Sequence, residues 1–233
     1  DDTVKKAAAT HNGTTGPVTV TPGNHTIAET AATGTDMGDY TTSLTCIDTS
    51  EDEPVTVTNG TVNVPAGTNV LCTFTNTRKT GNLTLTKVVV DPLQSGHTFD
   101  LKAGTTTVVD NATNGSTDSI VINSGPVTVS ETSTNLADYT TTIVCDDDGE
   151  PLAQGTDTSL AIVVPANGDV TCTFTNTRKT GTIEVRKHLS PTSDPGTFDL
   201  HIDDTVKKAA ATHNGTTGPA TVTPGNHTIT DTA

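Results

Sequence analysis

The sequence predicts an all-β protein, a tandem array of antiparallel β-sandwich domains of about 100 residues each. Three observations support this fold class. Threonine accounts for 55 of the 233 residues, and a side chain branched at Cβ favours strands over helices. No segment carries a convincing helical period of apolar residues. Finally, the string CTFTNTRKTG occurs twice, 100 residues apart, a spacing that fits small domains in series.

Strands are predicted where short β-branched segments lie between Gly, Pro, Asn or Asp residues. Seven such segments within one repeat are typical of an antiparallel sandwich. The segment 108–113 is interpreted as an edge strand or a loop. The segment 4–10 has residues with high helix propensity, but we interpret it in the same way. The predicted strands are 83–87, 98–101, 119–122, 127–131, 139–145, 160–164 and 170–177.

A second repeat is longer and nearly identical. Residues 1–31 return as residues 203–233, with differences only at Val18/Ala220, Ala28/Thr230 and Glu29/Asp231. Two distinct domains therefore alternate, and the alternation itself repeats.

This arithmetic predicts three domain segments. Residues 1–80 form a sandwich unit that lacks its first strands, residues 81–180 form a complete unit, and residues 181–233 form the N-terminal part of a third unit. We interpret the chain as a window on a longer periodic polymer. The alternative is a discrete chain whose truncated ends complete each other between subunits, as in donor-strand assembly.

Composition and charge exclude several classes of function. The net charge of −15 repels phosphate backbones and anionic lipids, so we expect neither nucleic-acid binding nor membrane-surface binding. No apolar run approaches the length of a membrane span. Hydrophobic residues make up only 31% of the chain, which predicts thin cores that need additional stabilisation.

Strand alternation places three polar residues on faces that point into the core. Lys87 shares the parity of Leu83 and Leu85, and Glu131 and Asn176 likewise follow two apolar residues of the same parity. Two explanations remain open from the residues alone. The strands fray at these points, so that the lysine snorkels to solvent, or the three residues react to form a Lys–Asn isopeptide bond.

The layout GNLTLTK, GPVTVSET, ADYTTTIVC and VTCTFTNT resembles the Cna protein B-type, or prealbumin-like, repeats of bacterial surface proteins. The resemblance implies an Ig-like or prealbumin-like sandwich with an internal cross-link. It assigns Lys87 as the nucleophile, Asn176 as the acceptor and Glu131 as the catalytic acid. The matching residues in the other units are Glu29 and Asn76 in the first, and Lys187 and Asp231 in the third, where Asp replaces the Glu of the family pattern.

The four cysteines fall into two pairs, Cys46 with Cys72 and Cys145 with Cys172. Their even number, matched spacing and core-facing parity favour disulfides over a zinc site, because no Cys-x-x-Cys or His cluster is present. Disulfides would place the chain outside the cytoplasm, at the cell surface or in the extracellular medium. Four buried free thiols are the alternative.

The predicted function is structural: a repeat region of a bacterial extracellular stalk or filament, with further copies of the repeat as its partners. The alternative is an adhesin whose repeats bind a host or matrix ligand directly. We expect no cofactor and no metal, because the acidic loops lack the spacing of a calcium loop. We also expect no enzyme activity beyond a single-turnover cross-linking reaction.

Overall fold

The computed structural model describes residues 3–90 and 94–233; Asp1 and Asp2, with which the predicted first domain begins, lie outside this part. The described residues form strands and two single-turn 3₁₀ helices, at Met37–Asp39 and Leu136–Asp138. The all-β prediction is therefore confirmed. Within these described residues, no helix has the length and apolar character that crossing a membrane requires.

The chain divides into two compact units. The first contains the chain up to Leu83 together with Ile120–Val127 and Val163–Val170. The second contains Thr84–Ser119, Thr128–Ile162 and Thr171–Ala233.

The first repeat forms two three-stranded sheets. The strand order is β1-β5-β4 in one and β3-β2-β6 in the other, and every described pair is antiparallel. The register of β2 and β6 places Cys46 directly opposite Cys72. The strands are β1 Gly23–Thr26, β2 Tyr40–Asp48, β3 Glu53–Val55, β4 Val57–Thr58, β5 Thr61–Val64 and β6 Val70–Arg78.

The middle repeat contributes nine strands to a five-stranded and a four-stranded sheet, with orders β10-β7-β15-β12-β13 and β14-β11-β8-β9. Side chains of the two sheets meet in a buried core, where Phe99 packs edge to face on Tyr139 with 5.4 Å between ring centroids. The strands are β7 Thr80–Val90, β8 Phe99–Ala103, β9 Thr106–Ala112, β10 Thr117–Asn123, β11 Gly125–Thr132, β12 Tyr139–Asp147, β13 Glu150–Gly155, β14 Ser159–Val164 and β15 Asp169–Arg178.

The remaining residues form two small antiparallel sheets, with orders β16-β19 and β18-β17-β20. Their strands are β16 Gly181–Ile183, β17 Phe198–Ile202, β18 Thr205–Ala211, β19 Ala220–Val222 and β20 Ile229–Thr232.

All seven strands predicted for the middle repeat are present, most of them longer than predicted. Strand β9 forms in the region where the sequence predicts an edge strand or a loop, and it lies at the edge of its sheet. Strand β13, which pairs with β12, was not predicted. Its sequence, EPLAQG, lacks the β-branched residues that signal a strand, so its conformation comes from pairing.

Pairing also explains why identical sequences adopt different structures in the two copies of the long repeat. Residues 205–211 form β18, which pairs with β17, whereas the same seven residues at positions 3–9 form no strand. Conversely, GNHT forms β1 against β5 at positions 23–26 but no strand at 225–228. In each case the described residues provide the hydrogen-bonding partner in only one copy.

Candidate cross-linking site

Strand β7 buries a lysine in the core of the middle repeat. Along this strand fully or nearly fully buried residues alternate with half-buried ones, and Leu83, Leu85 and Lys87 belong to the buried set. Lys87 has no exposed surface at all. Its amino group therefore does not reach solvent, as a snorkelling lysine would.

The buried lysine contacts Glu131, which in turn binds Asn176. Lys87 Nζ lies 2.6 Å from Glu131 Oε1, and Asn176 Nδ2 donates a hydrogen bond of 3.1 Å to the same oxygen. Glu131 is 2% exposed and Asn176 is fully buried. The fold thus brings together side chains of β7, β11 and β15 that are far apart in the sequence.

Residues from neighbouring strands complete the surroundings. The Phe99 ring lies under the lysine, 4.6 Å from Nζ to the ring centroid. Lys87 Nζ also donates to the Phe174 carbonyl at 3.4 Å, and Thr141 Oγ1 donates to Glu131 Oε2 at 3.4 Å. Asn176 Oδ1 is buried and has no hydrogen-bond partner, an arrangement that costs free energy unless a donor becomes available.

Sequence analysis missed Thr141 and Phe99 as part of this site. A signal was present for both. Thr141 shares the inward parity of Tyr139 and Ile143 on β12, and Phe99 shares that of Leu101 on β8.

Burial dominates the electrostatics of the lysine. The pKa of Lys87 is lowered from 10.5, mainly because burial disfavours the charged ammonium; the hydrogen bond to Glu131 and the charge of Glu131 oppose this effect. The net direction favours a neutral amine, which is the nucleophilic form of a lysine side chain.

In the first repeat, the corresponding carboxylate and amide also meet. Asn76 Nδ2 donates to Glu29 Oε1 at 2.5 Å, and Thr42 Oγ1 donates to Asn76 Oδ1 at 2.6 Å. Both Glu29 and Asn76 are exposed. This pair therefore lies in water rather than in a closed core.

In the third segment, the corresponding lysine and carboxylate form an ion pair. Lys187 Nζ contacts Asp231 Oδ2 and lies 3.6 Å from the centroid of the Phe198 ring. The hydrogen bond from Lys187 is the main reason that the pKa of Asp231 is lowered. The shorter Asp side chain still reaches the lysine at this site, although it is 47% exposed.

Both predicted disulfides are present. Cys46 bonds to Cys72 and Cys145 bonds to Cys172, which close loops with sequence separations of 26 and 27 residues. Each bond joins strands that lie in one sheet, β2 with β6 and β12 with β15. The described residues contain no free cysteine.

Comparison with known proteins agrees with this architecture. The family model described as a prealbumin-like fold domain matches residues 3–78 and again residues 82–178. The chain therefore belongs to the family of prealbumin-like fold domains. The search of curated proteins gives no match.

Solved structures with similarity to the chain include the major pilin of Streptococcus pyogenes and two mutants of it. The major pilin is 17% identical, with a TM-score of 0.31 over 69% of this chain and 66% of the pilin chain. The two mutants are 16% and 18% identical, with TM-scores of 0.29 and 0.31. They cover 70% and 69% of this chain, and 67% and 66% of their own chains.

Proposed function

We propose that this chain is a structural repeat segment of a bacterial extracellular stalk or filament, made rigid by its disulfides and by Lys–Asn isopeptide bonds. The observation that carries the proposal is the fully buried cluster of Lys87, Glu131 and Asn176. A buried ion pair contributes little net stability to a fold, because desolvation of both charges offsets their attraction. A covalent product would remove both buried charges and connect two strands permanently.

The reaction begins from a neutral pair. Transfer of a proton from the Lys87 ammonium to Glu131 gives an amine next to a carboxylic acid, which avoids two buried charges. The lowered pKa of Lys87 favours this state. Rotation of the Asn176 carboxamide exchanges Oδ1 and Nδ2, so that the acid can donate to the oxygen that now lacks a partner. This hydrogen bond polarises the carbonyl for attack.

Covalent exchange then follows at the Asn176 carboxamide. A bond forms between Lys87 Nζ and Asn176 Cγ, and the bond from Cγ to Nδ2 breaks. Glu131 gives its proton to the departing nitrogen and receives one from the attacking nitrogen, so that one ammonia leaves and the acid is regenerated. The protein is consumed as its own substrate, which makes this a single turnover rather than enzyme activity.

The position of the bond suits a protein that carries tension. Strands β7 and β15 are neighbours in the five-stranded sheet, and they are the first and last strands of the middle repeat. A bond between Lys87 and Asn176 would pass force directly from one strand to the other. The chain between them would remain folded under load.

We propose the same roles for the matching residues of the other repeats. Glu29 is the acid for Asn76 as acceptor, and Asp231 is the acid for Lys187 as nucleophile. The disulfides favour an oxidising compartment, and hence the cell surface or the extracellular medium. Further copies of the repeat are the proposed partners.

Single-molecule stretching of the full chain tests this function. With the cross-link formed, the middle repeat should show no unfolding step. The Lys87→Met variant cannot form the bond, and it should release about 60 residues outside the disulfide loop, or roughly 200 Å of extended chain. The first repeat and the third segment each lack one member of the cross-linking set and unfold in both chains, so Lys87→Met should show one unfolding step more than the unmodified chain. An equal number of steps in the two chains would contradict the proposal.

A further inference from the structure

The RKTG segment that follows the last strand of each repeat has no part in the cross-linking site. It occurs at residues 78–81 and again at residues 178–181. Its arginine ends strand β6 in the first case and strand β15 in the second. In both copies this arginine is only partly exposed and makes specific hydrogen bonds.

Arg78 is held in place by its own repeat. Its Nη1 donates to Tyr40 Oη at 2.8 Å, and its Nη2 donates to Asp39 Oδ2 at 3.1 Å. The guanidinium carbon also lies 5.2 Å from the centroid of the Tyr40 ring. A side chain with this many contacts has little rotamer freedom left, so it can present its Nε–H group in a fixed direction.

The Nε–H group of Arg78 binds a turn of the middle repeat. Arg78 Nε donates to the Ser124 carbonyl at 2.7 Å, and the Ser124 amide donates to the Lys79 carbonyl at 2.9 Å. Ser124 is 2% exposed. The segment Ile120–Val127, which contains this turn, belongs to the same compact unit as Arg78.

Gly125 makes room for the arginine. A Cβ atom at this position would lie 2.4 Å from Arg78 Nη2, well inside contact distance. The φ angle of Gly125 is +117°, which a residue with a side chain rarely adopts. The backbone conformation thus favours glycine here, and an added Cβ would displace the guanidinium beside it.

The second arginine repeats this contact 100 residues later. Arg178 Nη2 donates to the Pro224 carbonyl at 2.7 Å, and Gly225 follows with a φ of +134°. The same group also donates to Gln94 Oε1. Proline has no amide hydrogen, so the second backbone bond of the first contact cannot form at Pro224.

We propose that Arg78 and Arg178 are positioning residues that connect each repeat to the next. The partner that they recognise is a backbone carbonyl followed by glycine, at the turn before the strand that carries the carboxylate of the next repeat. The inference rests on the proposed function in that a stalk requires fixed junctions. It adds a residue-specific contact that restricts the motion of consecutive repeats, independently of the cross-link.

Amide hydrogen exchange of the full chain, read by NMR, tests this contact at Ser124. In Arg78→Ala, exchange of the Ser124 amide should accelerate by about tenfold or more, because the arginine no longer holds the turn against Lys79. The Glu131 amide, which donates to Thr158, should be unchanged. Arg186 is exposed, and Arg186→Ala is the matched control. Equal Ser124 exchange in the two variants would overturn the proposal.

A glycine pair provides a second test if Arg78→Ala does not fold. Gly125→Ala and Gly23→Ala impose the same backbone strain, since the φ of Gly23 is +133°, but an added Cβ at Gly23 meets no atom within 4 Å. Only Gly125→Ala should change the relative alignment of the two repeats, measured by residual dipolar couplings. Equal alignment in both variants would overturn the proposal.

The mass of the same samples separates this inference from the proposed function. Loss of ammonia in Arg78→Ala together with faster Ser124 exchange supports both. Loss of ammonia with unchanged exchange overturns only the arginine contact. No loss of ammonia in any sample, with faster exchange, overturns only the cross-link.

Discussion

Removal of Glu131 is expected to destabilise the middle repeat by about 3–5 kcal/mol. The Glu131→Ala variant leaves the Lys87 ammonium without its partner at 2.6 Å, in a place with no exposed surface. Breaking a buried pair on one side has a cost of about this size. The variant also cannot form the cross-link, so a second variant is needed to isolate the cost of the buried charge.

The double variant Lys87→Met/Glu131→Ala is that second variant, because it forms no cross-link and buries neither charge. Native-state hydrogen exchange of the β7 and β15 amides in the full chain reports the stability of the middle repeat alone. Exchange should be between about a hundredfold and several thousandfold faster in Glu131→Ala than in Lys87→Met/Glu131→Ala. Glu29 is exposed, and Glu29→Ala should leave these amides unchanged.

The loss of stability of the middle repeat in Glu131→Ala should also depend on pH. Burial lowers the pKa of Lys87 in the folded state below its ordinary value of 10.5, and the variant loses the partner that opposes this shift. The unfolded chain then binds more protons than the folded chain, so stability rises with pH between the folded pKa and 10.5. Equal protection factors of these amides in Glu131→Ala and Lys87→Met/Glu131→Ala at every pH would refute this reasoning.

Three further predictions concern other parts of the chain. Replacing both Cys145 and Cys172 with Ala should lower the stability of the middle repeat by about 3.5 kcal/mol, measured by the same exchange, because the disulfide closes a loop with a separation of 27 residues. Ala210 has a φ of +48°, so Ala210→Asn should raise the stability of β17 and β18 by up to about 1 kcal/mol, measured by exchange of their amides. The ring of His227 contacts Asp203 at 2.7 Å, and this hydrogen bond raises the pKa of His227 above 6.5. The contribution of this hydrogen bond to the stability of the fold should be present at acidic pH and decrease as the pH rises through the pKa of His227 in the folded state. In Asp203→Asn, the pKa of His227 measured by NMR should fall towards 6.5.

For each of these three predictions, one experimental result would contradict it. Unchanged amide exchange in the middle repeat after removal of the disulfide would mean that the disulfide does not restrict the unfolded chain. Ala209→Asn, at an exposed neighbour of Ala210, should not stabilise the chain. An equal gain in stability from Ala209→Asn would contradict the explanation by the positive φ of Ala210. An unchanged His227 titration in Asp203→Asn would show that the carboxylate does not set the pKa of the ring.

The sequence predicted most of the sandwich because alternation along a strand is a local property. Leu83, Leu85 and Lys87 share a face wherever the strand lies, so the inward direction of the lysine followed from parity alone. Strand β13 was missed because its residues have no strand preference of their own, and it depends on pairing with β12. The two conformations of residues 3–9 and 205–211 show the same limit more directly, because no local rule can distinguish identical sequences.

For the site, parity indicated which residues point inward but not which of them meet. The contact of Lys87 with Glu131 depends on how the two sheets face each other, and the added roles of Thr141 and Phe99 depend on the same packing. The Arg78 contact was also beyond sequence analysis. The repeated RKTG string does not indicate what its arginine binds, because the acceptor, the Ser124 carbonyl, is a backbone group that carries no sequence signal.

The most direct test of the account is the intact mass of the full chain, compared with Lys87→Met and Glu131→Ala after allowance for the substitutions. The account predicts that the unmodified chain is lighter than its sequence mass, with both disulfides counted, by one ammonia, or about 17 Da. Both variants should have their full masses, and digestion should give a branched peptide that joins Lys87 to Asn176. A full mass for the unmodified chain would contradict the cross-link and leave the cluster of Lys87, Glu131 and Asn176 as a buried polar network.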